Sequence, residues 1–277
     1  MSQAELFYSN YLRENQIEKI MLLGISINNG VCELKLNRPE VFNSFNKEMA
    51  MDLQKALDDC ASNDEVRAIV ITGEGKAFCA GQDLAEATDP NGPELKSIVK
   101  EHYNPIILKI RNLNKPVIAA VNGVAAGAGA NIALACDITI AKESASFIQA
   151  FSKIGLIPDS GGTFFLPRII GSQKALALMM TADKITAQEA DDMNMIYKAV
   201  SDEEFDAFVA KFAGKLAAMP TKGLGLTKQA VNASFTNSLE TQLDLEEELQ
   251  TVAGQSYDFN EGVAAFMEKR KPVFKGE

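Results

Sequence analysis

Two loops of small residues and one carboxylate are the parts of this chain best suited to chemistry. FCAGQDL at 78–84 and GVAAGAGAN at 123–131 each follow a run that reads as a buried strand, and the second opens a helix. Glycine and alanine let a backbone approach a ligand without side chains in the way. One N–H from each loop could converge on a single carbonyl oxygen and hold the negative charge that develops there. Loss of one such donor typically raises a barrier by about 3–4 kcal/mol. The same residues could instead serve only to pack a helix closely on a strand, and the spacing leaves both readings open. A dinucleotide site fits less well, since GVAAGAG lacks the GxGxxG order, and GEGKAF lacks the Gly-Lys-Ser/Thr ending of a phosphate loop.

The carboxylate is Asp159 in GLIPDSGGT. An Asp before Ser-Gly-Gly makes a good helix N-cap, because its side chain can accept from the first free N–H groups. Set among Leu156, Ile157, Phe164 and Phe165, it would also be partly desolvated, and desolvation raises a carboxyl pKa toward the range useful for moving protons. A third feature is the basic cluster Lys269-Arg270-Lys271 beside Phe266 and Phe274. It suits a helix C-terminus on dipole grounds and is equally a candidate phosphate contact. The single histidine, His102, lies in a polar stretch that reads as an exposed helix, so it is expected on the surface.

The elements that must position these groups follow from hydrophobic period. Ile20 to Leu36 alternates around Asn28-Asn29-Gly30, a strong hairpin signal. Asn46 can cap a helix carrying Met49, Leu53, Ala56, Leu57 and Cys60 at helical spacing. Val66 to Thr72 and Val117 to Val121 read as strands buried on both faces, and Asp137 to Ala141 and Ser146 to Ile148 as further short strands. Strand, loop and helix alternate, which favours parallel pairing. Beyond Pro167 the chain reads as helices, with Thr186 and Glu189 forming a capping box and Ile196 to Val200 the one late strand. Residues 1–19 read as an extension outside the main fold.

With 277 residues and 47% hydrophobic composition the chain can bury a substantial core. A formal net charge of −10 argues against binding nucleic acid or an anionic membrane surface, where basic patches do the attracting. Cys32, Cys60, Cys79 and Cys136 show neither zinc-ligand nor redox spacing and read as reduced core residues of a cytoplasmic protein. No metal site is expected. Neither a signal peptide nor a membrane-spanning run is expected from the pattern.

From about residue 20 to 275 the chain resembles the enoyl-CoA hydratase/isomerase (crotonase) superfamily. LNRPEVFNSFN, AFCAGQDL, KPVIAAVNGVAAGAGANIALACDITIA, FSKIGLIPDSGGTFFLPRIIG and FMEKRKPVF carry the resemblance, in order and at plausible spacing. It implies an α/β fold: a crotonase-like spiral of ββα units over 20–200 holding the active site, then a helical oligomerisation region over 201–277. Trimers that often pair into hexamers, and coenzyme A thioester substrates with no separate cofactor, are further implications. The resemblance also assigns the oxyanion-hole N–H groups to Gln82 and Ala128. CoA contacts fall on Arg38, Ala80, Gln82, Asp83, Leu84 and Gly127, with Phe266 and Lys269 reaching the nucleotide from the same or a neighbouring subunit.

The family's hydratases use two glutamates, and at those positions this chain has Asn131 and Phe151. Water activation therefore has no evident base. Asp159 falls where related isomerases and some dehalogenases carry a carboxylate, and the surrounding sequence is most similar to the ring-1,2-epoxyphenylacetyl-CoA isomerase subgroup of phenylacetate degradation. The expected activity is one-base proton transfer by Asp159, converting 2-(1,2-epoxy-1,2-dihydrophenyl)acetyl-CoA to oxepin-CoA, or shifting a 3-enoyl double bond to the 2-position, with Asn131 orienting the acyl group or a water. The alternatives are a hydrolase or dehalogenase with Asp159 as nucleophile, against which the absence of Trp counts, and a CoA-binding protein without catalysis.

Overall fold

The computed structural model describes residues 22–277, so the extension expected over 1–19 lies outside the described residues. Asn29 and Gly30 both take positive φ, 50° and 80°, which is what a type I′ turn requires. They join β1 (Leu23–Asn28) to β2 (Val31–Leu36) as an antiparallel hairpin with Asn28 opposite Val31. Asn46 then caps α1 (Lys47–Ser62), its side chain accepting from the Met49 N–H, and the helix buries Met49, Leu53, Leu57 and Cys60.

The chain next winds in a spiral, each turn giving one strand to a large sheet and the next to a small one. β3 (Ala68–Gly73) is followed by β4 (Ala77–Cys79), and α2 (Leu84–Ala87), α3 (Leu95–Ser97), a π-helical turn at Ile98–Tyr103 and α4 (Asn104–Asn112) complete that turn. β5 (Val117–Val121), β6 (Val124–Ala126) and α5 (Ala128–Ala135) make the next. β7 (Ile138–Lys142) and β8 (Ser146–Ile148) lead into α6 (Gly162–Ile170) and α7 (Ser172–Thr181). β9 (Lys184–Thr186), α8 (Ala187–Asp192) and β10 (Lys198–Val200) finish the spiral. The large sheet runs β1-β2-β3-β5-β7-β10 and the small one β4-β6-β8-β9. All pairs are parallel except β1 with β2 and β8 with β9.

This is the expected α/β spiral of strand–strand–helix turns. Alternation within single strands shows why the large sheet is buried on both faces: Ile69 and Ile71 enter the main core, while Val70 joins Ile118, Ile140, Phe205 and Val209 on the other side. The Thr186–Glu189 capping box is present at the start of α8. Strands β4, β6 and β9 do not show in the sequence: β4 and β6 overlap the stretches that read as small-residue loops, and Lys184-Ile185-Thr186 places one apolar residue between two polar ones before a helix. All four cysteines are buried and free, and burial pushes the Cys79 and Cys136 thiols up to about 12. Cys32 and Cys60, distant in sequence, meet side chain to side chain.

Four helices close the chain: α9 (Phe205–Ala217), α10 (Thr221–Ser234), α11 (Leu239–Gly254) and α12 (Tyr257–Glu268). Helix α10 is tied to the spiral by Asp137, which meets Lys228 at 2.8 Å and Arg111 at 3.2 Å. Arg67 adds bonds to the Met219 and Phe274 carbonyls and to Thr221. Leu239, Leu243, Phe266 and Met267 nevertheless stay exposed on these helices. No helix among the described residues is long and apolar enough to cross a membrane.

Candidate active site

The two small-residue loops are brought against each other. A Cβ on Gly129 would lie 2.4 Å from the Cys79 carbonyl oxygen, and one on Gly81 would lie 3.0 Å from the Ala126 oxygen and 3.4 Å from the Ala128 nitrogen. Only glycine permits that approach, and Gly81 and Gly127 also take positive φ, 95° and 53°. On the first loop, Phe45 N–H donates to the Gly81 oxygen at 2.7 Å and Asp83 N–H donates to the Phe45 oxygen at 2.9 Å. The Gln82 N–H takes no part in this bridge. Because a trans peptide opposes its C=O and N–H, the Gln82 N–H points away from Phe45. On the second loop Gly127 N–H is taken by the Ile148 oxygen at 2.9 Å, whereas Ala128 opens α5, where an N–H has no carbonyl partner within its own helix. The arrangement can present two backbone donors to one oxygen.

Asp159 lies on the segment facing α5. Asn131, one turn after Ala128, donates from Nδ2 to the Asp159 carbonyl at 2.9 Å, and Gln149 Nε2 donates to Asn131 Oδ1 at 2.8 Å. Asn131 is 0% exposed, and the contacts its amide makes are to the Asp159 backbone and to Gln149. Gly162 allows this contact, since a Cβ there would stand 2.3 Å from Asn131 Nδ2. The helix that carries one donor thus also fixes the segment carrying the carboxylate.

The N-cap expected of Asp159 is not formed. Ser160 and Gly161 take φ of 51° and 76°, Gly161 occupies the cap position of α6, and no side chain caps it. The Asp159 carboxylate instead accepts from Ser160 Oγ at 2.9 Å. Burial pushes its pKa up, and the Ser160 hydrogen bond only partly opposes this. Of the apolar neighbours expected to desolvate it, Phe165 is buried, whereas Ile157 is 80% exposed and Leu156 and Phe164 also face outward. The turn at 160–161 packs on the Phe165 ring and Ile107.

Tyr103 and Gln149 join the site without a signal in the sequence. The Tyr103 hydroxyl donates to Gln82 Oε1 at 2.7 Å and lies within electrostatic reach of Asp159. Phe151 is buried with its ring next to Gly127, an apolar wall where a second carboxylate could have stood. His102, expected on the surface, is buried on the π-helical turn, and desolvation lowers its pKa, so it stays neutral at physiological pH. The only local sign was the apolar run around it, which a polar reading of residues 100–104 obscured.

The residues assigned to CoA fall into two groups. Arg38 meets Asp83 at 2.8 Å and also donates to the Ser44 carbonyl, anchoring the first loop. Burial raises the Asp83 pKa, but the bonds from Arg38 and from the Ala85 N–H outweigh it and hold the carboxyl below its usual range. Ala80, Gln82, Leu84 and Gly127 lie on the two loops or at their ends, and Leu84 is exposed. Phe266 and Lys269 are elsewhere: Phe266 is 82% exposed on α12, where it lines a surface groove of about 410 Å³ with Phe259, Val263 and Phe274, and Lys269 ends that helix at φ 54°.

Comparison with known proteins shows the family and the fold. The enoyl-CoA hydratase/isomerase family model matches residues 26–277. The chain is 49% identical over 254 residues to the 1,2-epoxyphenylacetyl-CoA isomerase of Escherichia coli (strain K12), covering 91% of this chain and 97% of that protein. It is 37% identical over 255 residues to the trans-2-decenoyl-[acyl-carrier-protein] isomerase of Streptococcus mutans, covering 91% and 97%. Among solved structures, an enoyl-CoA hydratase from Bacillus anthracis superposes with a TM-score of 0.87 at 33% identity, covering 93% of this chain and 100% of that one.

Proposed function

The chain belongs to the enoyl-CoA hydratase/isomerase family, and from that premise we propose that it is an acyl-CoA isomerase working through a single carboxylate, Asp159. One observation carries the reading: the helix that opens on the Ala128 donor also fixes, through Asn131, the Asp159 segment, whose carboxyl burial has raised toward the proton-transfer range. The likeness to a 1,2-epoxyphenylacetyl-CoA isomerase supports 2-(1,2-epoxy-1,2-dihydrophenyl)acetyl-CoA as substrate and oxepin-CoA as product, with the 3-enoyl to 2-enoyl shift as the simpler reaction of the same site.

In the double-bond shift, the Asp159 carboxylate takes a proton from C2 and the electron pair moves through the thioester carbonyl onto its oxygen. The Gln82 and Ala128 N–H groups hold that oxyanion. The protonated Asp159, able to exchange its proton with solvent, then delivers a proton to C4, the double bond settles between C2 and C3, and the carboxylate is restored. Asn131 and Phe151 leave no second carboxylate at the hydratase positions, which supports isomerisation over water addition.

Contacts to CoA through the loop residues Ala80 to Leu84 belong to the same reading. Phe266 and Lys269 would then reach a neighbouring copy's nucleotide in a homotrimer or homohexamer, for which the exposed Leu239, Leu243 and Phe266 offer apolar surface. Turnover of trans-3-hexenoyl-CoA in deuterated water tests the proposal. The wild-type protein should give 2-hexenoyl-CoA, with deuterium entering by exchange at Asp159, and in Asp159→Asn the rate should fall by about 10²- to 10⁴-fold. A 3-hydroxyacyl main product, or unchanged turnover in Asp159→Asn, would overturn it.

A further inference from the structure

Beside the donors runs a chain of hydrogen bonds that neither the base nor the CoA contacts account for. Tyr103 ends the π-helical turn, 1% exposed, with its ring edge-on to Phe45 at 5.9 Å between centroids. Its hydroxyl donates to Gln82 Oε1 at 2.7 Å. Gln82 Nε2 donates to Glu86 Oε2 at 3.0 Å and to the Asp83 carbonyl at 3.3 Å. Glu86 Oε1 accepts from the Lys47 N–H at 2.9 Å. Lys47 is the first residue of α1, so the chain ends on a carboxylate at a helix N-terminus, where negative charge is favoured.

Residue 82 has to accept at one end of its side chain and donate at the other, and a primary amide does both. The backbone gives the reason a clamp is needed. The peptide joining Gly81 to Gln82 is held at its oxygen edge only, by the Phe45 N–H at 2.7 Å and by a long contact from the Cys79 thiol at 3.9 Å, and a plane held along one edge can pivot about it. Gly81, at φ 95°, offers no side chain to stop the pivot. The Gln82 side chain, gripped between Tyr103 and Glu86, is the second anchor. Burial pushes the Tyr103 phenol well above its usual range, and the nearby Cys79 and the carboxylates of Asp159, Glu86 and Asp83 add to this, so the hydroxyl stays protonated as a donor.

We infer that Tyr103 is a positioning residue that acts through the Gln82 side chain to aim the Gln82 N–H at the thioester oxygen. The inference rests on the isomerase reading only for the oxyanion site, and not for the identity of the base.

Tyr103→Phe keeps the ring on Phe45 and removes only the hydroxyl. The direct readout is the infrared stretch of the thioester carbonyl in bound hexanoyl-CoA labelled at that carbon, a saturated ligand that cannot isomerise. In the wild-type protein the band should lie below that of the free ligand, and in Tyr103→Phe it should move back toward the free position. With trans-3-hexenoyl-CoA, kcat should fall about tenfold with KM within about twofold, the signature of an interaction made mainly in the transition state. Gln82→Leu, similar in size but without either bond, should shift the band equally, and the double variant should lose nothing further. A wild-type band position in Tyr103→Phe overturns the inference whatever happens to kcat, and so does full additivity in the double variant. Asp159→Asn should keep the wild-type band, so a failed base assignment shows in turnover and a failed Tyr103 assignment shows in the band.

Discussion

Around Gly81 and Gly129 the chain crosses itself at distances that leave little or no room for a Cβ, whereas around Asp159 the backbone is held by side chains reaching in from elsewhere. The donor half of the site is made of main chain, and the missing side chains are what let its two loops meet. Its N–H groups do not titrate, and no side-chain substitution short of proline removes them. The base half is made of a carboxylate, the Asn131 amide behind it and the Gln149 amide behind that. It depends on the identity of each side chain and on pH. The donor half should therefore fail when atoms are added, and the base half when they are taken away.

The largest effect is expected from removal. Asp159→Asn keeps the shape and abolishes the base, and kcat/KM for the isomerisation should fall by about 10²- to 10⁴-fold, the usual range for a positioned acid–base group. Addition comes next. Gly129→Ala would drive a methyl into the Cys79 carbonyl at 2.4 Å and push the start of α5 off the first loop. Loss of one aligned donor should lower kcat by about 10²- to 10³-fold, with a fall in thermal stability from overpacking measured by unfolding. The infrared band of bound hexanoyl-CoA should move toward the free ligand in this variant and stay put in Asp159→Asn. If both variants move it, the two halves are not separable as described. Asn131→Ala should be milder, about ten- to a hundredfold in kcat, because it displaces the carboxylate without removing it. Its carbonyl band should remain that of the wild-type protein, since Ala128 N–H is main chain.

The division between the halves also marks what could be read from sequence. Features written in neighbouring residues were legible: the Asn29-Gly30 turn, the Asn46 cap, the Thr186–Glu189 box and the small-residue loops at 78–84 and 123–131. So was the choice of Asp159 as the proposed base, once the positions of Asn131 and Phe151 were set beside it. What failed depended on contacts across the chain or on backbone angles. Asp159 reads as an N-cap because Ser160 gives no hint that it will turn left-handed and delay the helix to Gly162. His102 reads as exposed because the helix covering it, α1, lies some fifty residues away, where Gln54 donates to the His102 carbonyl. Gln149 and Tyr103 carry no local signal at all, since each matters through one bond to a residue about twenty positions distant.

The smallest effect is the most specific to the base half. Asp159 must be ionised to take a proton, so activity should fall as pH drops through its folded-state pKa, and burial places that limb above the range of an ordinary aspartate. Ser160→Ala removes the bond that opposes the shift and should move the limb further up, whereas Gly129→Ala should lower the rate without moving it. Stability carries the opposite sign. A carboxyl whose pKa is raised on folding contributes stability that is fully present below its unfolded pKa and is lost as pH rises through the folded one. The wild-type protein should therefore be no more stable than Asp159→Asn at neutral pH and should gain on it as the pH is lowered, measured by chemical unfolding from about pH 3, below the usual aspartate pKa, up to about pH 8. A difference between the two proteins that does not change with pH would mean that Asp159 is not desolvated as the structure places it, and the contrast between a titrating base half and a silent donor half would fail at its base.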